Sequence, residues 1–271
     1  MCMMDEKHGD PQTPPQRADH NTYLLGCIGK FKVVIACLPK DEIGSSSAAA
    51  MAKDMLFTFP NVRVGLLVGI GGGIPDYGSD DIQDIRLRDV VISSDKENGG
   101  VVLYNFGKRL ADGSFKSMYA LGRPPRSLRT AISLLEAEHQ TRENRIPQYI
   151  DKMLEIYPHM RKKGRANRAD TNPVIHYGVI ATGSAVVKHG PTRDEIRQEH
   201  GAICLEMEAA GLMNNFPCVV IRGISDYADS HKNNHWQQYA AATAAACAKE
   251  LLEVVQLRAL EGERTAKDVI G

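Results

Sequence analysis

The stretch "ICLEMEAAGLMNNFPCVVIRGISDYAD", residues 203–229, passes from an apolar strand into a small-residue helix and back into an apolar strand. Two glutamates, Glu206 and Glu208, sit where the first strand gives way, and Asp226 closes the second. On a strand the two glutamates share one face; on a helix they project roughly opposite ways. The small-residue run starts at Ala209, which places Glu208 at the strand-to-helix junction, where unpaired helical N–H groups favour a carboxylate. An ionised carboxylate taken out of water is costly without a partner. The three acids are therefore either surface groups or parts of a site.

Outward from this unit the alternation continues. "VRVGLLVGIGGGIP" (62–75) reads as a buried strand running into a glycine turn, and "IRLRDVVISS" (85–94), "GGVVLYNFGK" (99–108) and "IHYGVIATGSAVV" (175–187) as further strands. "GSSSAAAMAKDMLFTFP" (44–60) has a Ser-rich start suited to a helix cap, residues 126–163 are helical and charged, and 236–260 form an Ala-rich closing helix. Strands that are apolar on both faces and alternate with helices predict an α/β fold, a mostly parallel sheet covered by helices. With no repeat and no internal linker, one domain is expected over 21–261, after a polar, Pro-rich arm (1–20) and before a short tail (262–271).

The 271 residues carry 33 Lys+Arg and 33 Asp+Glu, a formal net charge of zero. That balance argues against nucleic acid or an anionic membrane surface as a partner. The basic run "MRKKGRANR" (160–168) has no interleaved aromatics and reads as a solvated loop, and Trp236 as a packing anchor. The apolar runs are too short or too Gly-rich to cross a bilayer, and the start has no signal-peptide layout, so a soluble cytoplasmic protein is expected. Six cysteines without C-x-x-C spacing read as reduced, packed thiols, and the nine histidines lack zinc-site spacing; neither metal nor cofactor is implied.

Four features carry possible chemistry. The glycine run after 69 has neither G-K-[ST] nor G-x-G-x-x-G opening a helix, which leaves a tight turn or a ligand lying against bare backbone. Glu208, an ionised acid, suits gripping hydroxyls because a carboxylate accepts two hydrogen bonds at once. Asp226 ends a strand, where open α/β sheets bind ligands; semi-burial there would raise its pKa and keep a proton for donation, and its bland alternative is a turn former. Arg222, four residues earlier on the same strand face, is an ion-pair element or a ligand contact.

Taken together, "VGIGGGIP", "IRLRDVVIS", "YGVIATGSAVV", "CLEMEAAGLMNNFPCVVIRGISDYADSHKN" and the Ala-rich last helix resemble the nucleoside phosphorylase/nucleosidase superfamily over about residues 21–258. The likeness is greatest to the fungal form, which often heads larger NLR-like proteins. "EMEAAG" followed by "RGISDYAD" is specific for the family, whereas the glycine run alone would be weak. The resemblance implies a three-layer α/β/α sandwich around a mixed, partly barrel-like sheet. It also implies roles: Asp226 donates a proton to the leaving purine at N7, Glu208 grips the ribose hydroxyls beside Glu206, and Met207 packs on the sugar. Ser184, Ala185 and Val186 fall where the family lays the base against backbone, Gly71 and Gly72 line the ribose and nucleophile side, and Arg222 helps place the nucleophile.

The positions that match phosphate-holding groups in phosphorylases are Leu67 and Ile70, and an apolar wall cannot replace the solvation of a multiply charged anion. Hydrolysis of a purine ribonucleoside (adenosine, inosine or guanosine) by a homo-oligomer is therefore the leading expectation. Phosphorolysis, with Arg86 and Arg88 as phosphate holders, and a nucleoside-sensing module without turnover are the alternatives. The module reading arises because the family's opening strand, of the "VGWICALPIE" type, has no counterpart here; its loss would expose sheet edges.

Overall fold

The structure, a computed structural model, describes residues 2–9, 19–78, 82–97, 99–112, 115–117, 121–163, 172–213 and 216–270. The chain opens with β1 (Glu6–Lys7), β2 (Leu24–Ile28) and β3 (Phe31–Ile35), an antiparallel sheet of their own in that order. Helix α1 (Ser45–Thr58), β4 (Gly65–Gly73), β5 (Val90–Ser93) and β6 (Val101–Leu103) follow, then β7 (Gly107–Arg109) and β8 (Phe115–Ser117), which pair with each other. Next come α2 (Arg126–His139), α3 (Ile146–Ile156), β9 (Ile175–Thr182), α4 (Gly190–His200), β10 (Ala202–Glu206), α5 (Ala209–Met213) and β11 (Cys218–Asp226). Helices α6 (Gln237–Val254), α7 (Leu257–Glu261) and α8 (Ala266–Ile270) close it.

The main sheet runs β10–β4–β11–β5–β9–β6, and β10 also pairs with β9. Five strands thus close on themselves, with β6 attached to β9. The sheet is mixed: β4/β11, β5/β9, β6/β9 and β9/β10 are parallel, and β5/β11 and β4/β10 antiparallel. This is the α/β, partly barrel-like architecture expected from the sequence. Closure removes edges that would otherwise carry unpaired N–H and C=O groups. Two stretches of this sheet stay open among the described residues: the outer edge of β6, and the part of β4 that β10, reaching only Gly72 and Gly73, leaves uncovered. Val68, on the second of these, is 38 % exposed.

Strand β11 shows how the layers are built. It is buried at all nine positions. Val219 and Ile221 pack with α2, α3 and α6, whereas Cys218, Val220 and Ile224 pack with Ala48 and Ala52 of α1 and with Leu212 and Met213 of α5. That period of two is the strand's own alternation, and it needs an apolar layer on both sides. Arg222 falls among the even-numbered residues, so its charge enters the interior.

Several sequence expectations are corrected. The 1–20 arm is part of the fold over its first residues: Glu6 and Lys7 pair with Cys27 and Gly26, Met3 is buried, and Lys249 Nζ donates to its carbonyl at 3.1 Å. The 262–271 tail includes α8, whose Ala266 is buried with Leu56 and Phe216 and donates its N–H to Val62 O at 2.6 Å. Both segments satisfy their backbone on neighbouring elements, a gain that local polarity does not reveal. The glycine run is the end of β4 rather than a turn. The Ile85–Asp89 part of "IRLRDVVISS" is a bend instead of a strand, with Arg88 at φ 85° and its guanidinium 5.6 Å from the Trp236 ring centroid. From residue 164 onward the basic run lies outside the described residues.

All six cysteines are free. Burial pushes the thiols of Cys204, Cys218 and Cys247 up, Cys218 to about 12. At pH 8 a thiol reagent should label exposed Cys37 in the native protein and reach these three only after denaturation; native labelling of Cys204 would contradict the packing. A second check is Gly223→Ala. A Cβ there would lie 1.9 Å from the Ala240 carbonyl oxygen, so α6 would have to move off β11. Overpacking of this kind costs about 1–3 kcal/mol, or several degrees of Tm in a calorimetric scan.

Candidate active site

Glu206 and Asp226 stand on either side of β4. β10 runs antiparallel along one edge, with Leu205 opposite Gly72, and β11 parallel along the other, with Asp226 opposite Gly72. Bare backbone on β4 is what lets side chains meet across it. At Gly69 an added Cβ would fall 2.0 Å from Arg222 Nη1, and at Gly71 it would fall 2.6 Å from Cys204 Sγ. At Gly72 it would crowd Asp226 Oδ1 at 3.1 Å. The glycines are therefore needed for close approach and not for a phosphate loop.

Arg222 is 4 % exposed and pairs through Nη2 with Glu206, whose side chain is fully buried, and with Glu208 at 3.2 Å. These neighbours raise the guanidinium's pKa against the opposing effect of burial. Its Nε is buried and has no acceptor among the described residues. The sequence reading assigned the N–H groups at the start of the α5 helix to Glu208; the structure gives them to Glu206. Its carboxylate accepts from Glu208 N at 3.0 Å and from Ala209 N at 3.0 Å. That release leaves Glu208 half-buried, accepting from Gly44 N at 3.3 Å where α1 begins, with capacity for further donors.

Asp226 is 6 % exposed, and its carboxylate is surrounded by donors. Oδ1 accepts from Ala228 N at 3.0 Å, Oδ2 from Ser225 Oγ at 2.9 Å, and Lys232 Nζ reaches both, at 2.9 and 2.8 Å. Beside the acid that the sequence placed here, the structure adds a lysine on both carboxylate oxygens. Lys232 lies within the family-like stretch that ends "DYADSHKN", but nothing in its spacing gave it a role. It returns to the site only because the chain turns at Ala228, at φ 53°, and again where Lys232 N donates to Asp229 O at 3.2 Å.

The remaining candidates lie nearby. Gly183 N donates to Glu206 O at 3.2 Å, so the loop after β9 starts beside the carboxylates. Ser184, Ala185 and Val186 on it are exposed, Met207 is half-buried, and Tyr104 OH donates to Ala185 O at 3.5 Å. Tyr104 packs so closely under Gly183 that a Cβ there would lie 2.3 Å from its ring, a contact with no local sequence signal. Leu67 packs against the cluster that holds Val220, and Ile70 is half-buried. Arg86 and Arg88 line a separate cleft of about 440 Å³ with Asp84, Asp89 and Glu143, and Arg86 is ion-paired with Asp84. Acids offset the bases there, which does not favour a phosphate.

A closed mixed sheet between helical layers, with side chains converging over a glycine-rich strand, defines an α/β fold of the nucleoside phosphorylase type. A sequence profile of the Phosphorylase superfamily matches residues 7–257, and the chain belongs to that superfamily of nucleoside phosphorylases and nucleosidases. It is 42 % identical to a nucleotide-binding leucine-rich repeat (NLR)-like protein of Hyaloscypha variabilis over 291 aligned positions, covering 97 % of this chain and 29 % of that protein. This chain therefore spans less than a third of that relative. It is 26 % identical to the 5′-methylthioadenosine/S-adenosylhomocysteine nucleosidase of Treponema pallidum, over 90 % of this chain and 85 % of that one. Among solved structures, the nucleosidase of the same name from Neisseria meningitidis, in complex with methylthio-immucillin-A, superposes with a TM-score of 0.62 at 18 % identity, covering 93 % of this chain and 91 % of that one. No described helix is long and apolar enough to cross a membrane.

Arg222→Met strands two carboxylates, one of them fully buried. Breaking a buried pair from one side costs about 3–5 kcal/mol, to be read as a lowered denaturation midpoint. The doubly substituted Arg222→Met/Glu206→Gln protein, whose amide oxygen can still accept the Glu208 and Ala209 N–H groups, should recover much of that loss, and equal destabilisation by both variants would show that the pair is not what holds β10 to β11.

Proposed function

We propose that this chain hydrolyses the N-glycosidic bond of a purine ribonucleoside, releasing the free base and ribose. The observation that carries the reading is the placement of two carboxylate groups of opposite character on the two edges of β4. On one side Glu208 is half-open, with Glu206 and Arg222 behind it; on the other Asp226 is buried with a cation at hand. Breaking a glycosidic bond builds positive charge on the sugar and negative charge on the base. An anionic grip on the ribose and a proton at the base each stabilise the transition state more than the ground state.

In this reading Glu208 accepts the ribose 2′- and 3′-hydroxyls, Met207 packs on the sugar, and Gly71 and Gly72 line its far side. Ser184, Ala185 and Val186 lie along the base, and Asp226 faces its N7. Arg222 orients Glu206 and Glu208, and its free Nε provides a donor for the attacking water. Water is favoured over phosphate because Leu67 and Ile70 offer hydrocarbon at the positions where phosphorylases hold the anion, while Arg86 and Arg88, the alternative phosphate holders, are grouped with acids elsewhere. The nucleosidase relatives, named for purine nucleosides with modified 5′ positions, support the same reaction class.

The test is release of free base from adenosine, inosine and guanosine with and without phosphate. Turnover is expected to be independent of phosphate and to yield ribose. Asp226→Asn should lower kcat by about 10²-fold or more, as for loss of a general acid, and Glu208→Gln should act on both KM and kcat. Formation of ribose 1-phosphate would overturn hydrolysis, and tight nucleoside binding without any product would favour a sensing module.

A further inference from the structure

A general acid must hold a proton, yet the acceptor positions of Asp226 are filled. A carboxylate offers about four lone-pair sites, and here Ala228 N, Ser225 Oγ and Lys232 Nζ, which bonds both oxygens, occupy them. The transferable proton of this pair is on the lysine. Ala228 N is fixed by the turn, and Ser225 Oγ, with one proton to give, also lies 3.3 Å from Gly71 O, so Lys232 is the donor that spans both oxygens a purine nitrogen can approach. We propose that Lys232 is the proton source of the site, acting through Asp226; the inference rests on the reading of Asp226 given above.

The step balances as follows. As the bond from C1′ to N9 breaks, its electron pair goes to N9. A proton passes from Lys232 Nζ to an Asp226 oxygen and from Asp226 to N7, so the base leaves neutral and the lysine becomes an amine. Water adds to C1′ and sheds one proton to solvent, and solvent returns one to Lys232. The geometry suits a relay: the lysine side chain is 26 % exposed and the aspartate side chain 4 %, so only the lysine can be recharged directly.

The charged and titratable neighbours are few. Cys204 of β10 lies close enough to feel both groups, and its buried thiol is pushed up and stays neutral. Arg222 is committed to Glu206 and Glu208, Arg193 of α4 donates to Tyr227 O at 3.0 Å, and His231, 90 % exposed, pairs with Asp229 at 3.6 Å. None of them replaces the lysine on Asp226.

Lys232→Arg separates charge from proton supply, because a guanidinium keeps the ion pair but does not deprotonate in proteins. Base release from adenosine is measured from pH 5 to 9 for the wild type, Lys232→Arg, Lys232→Ala and Asp226→Asn. Lys232→Arg is expected to lose about 10²-fold in kcat at neutral pH, the usual weight of general-acid catalysis, with KM little changed. Lys232→Ala should keep activity that rises as pH falls, since Asp226 must then be protonated from bulk water, and ethylammonium should restore its rate at neutral pH. A folding defect would give no such rescue. Wild-type kcat and pH profile in Lys232→Arg, with Asp226→Asn inactive, would overturn the lysine's role alone. Base release that survives in Asp226→Asn would overturn the site reading beneath it.

Discussion

The guanidinium of Arg222 lies in the interior of a closed sheet, and much of the surrounding architecture is what that charge requires. A buried cation without partners would cost several kcal/mol, so two carboxylates must be brought to it, and both come from one strand end, β10 and the junction after it. To reach them the side chain has to cross β4, which is possible only over a residue without a Cβ, Gly69. β10 must then lie antiparallel on β4 while still pairing with β9, and that double pairing is the closure of the sheet. Charge compensation and barrel closure are one constraint seen from two sides.

The glycines of β4 have a cost as well as a use. They thin the strand's own contribution to packing, since a residue without a side chain buries little and loses more backbone freedom on folding. The glycine run itself, residues 71–73, is buried, and β4 is less covered only over its earlier residues, along the edge that β10 does not reach. What the protein gains is a floor of bare backbone on which the side chains of Cys204, Arg222 and Asp226 converge from both edges. Glu206, Arg222 and Asp226 are held by ladder pairing on their strands, whereas Glu208 and Lys232 come from the connections that follow.

Charge placement also divides the labour within the site. Glu206 is spent on structure, accepting helix-start N–H groups and the arginine, and this leaves Glu208 half-buried with acceptor capacity to spare. Asp226 is spent on Lys232, so the same side of the site holds an anion and an exchangeable proton within one hydrogen bond of each other. In the hydrolytic reading proposed above, this pairing of charges serves a bond that ionises as it breaks. Membership of the superfamily fixes the fold and the class of chemistry in relatives; the assignment of each role to a residue of this chain rests on these contacts.

The alternation of strands and helices, the two-faced burial of β11, the position of Glu206, Glu208 and Asp226 at element ends and that of Arg222 within β11 were all legible, because period and apolar content are local properties of the chain. Glu208 as a junction residue was read correctly from the start of the small-residue run at Ala209, while the identity of the helix-capping acid was not, since spacing cannot say which of two carboxylates turns inward. The glycine run looked like a turn because its true reason, the side chains crossing it, comes from strands more than a hundred residues away. The ends of the chain, Met3 and Ala266, looked loose for the same reason: their partners are distant. Lys232 stood within the quoted "DYADSHKN" stretch, but as a polar residue in a polar turn it gave no sign that it returns to Asp226. Sequence alone determined which elements form and which acids stand at their ends, because those follow from neighbours along the chain; the tertiary structure alone decided which charges meet, because closing the sheet brings together groups that no local pattern connects.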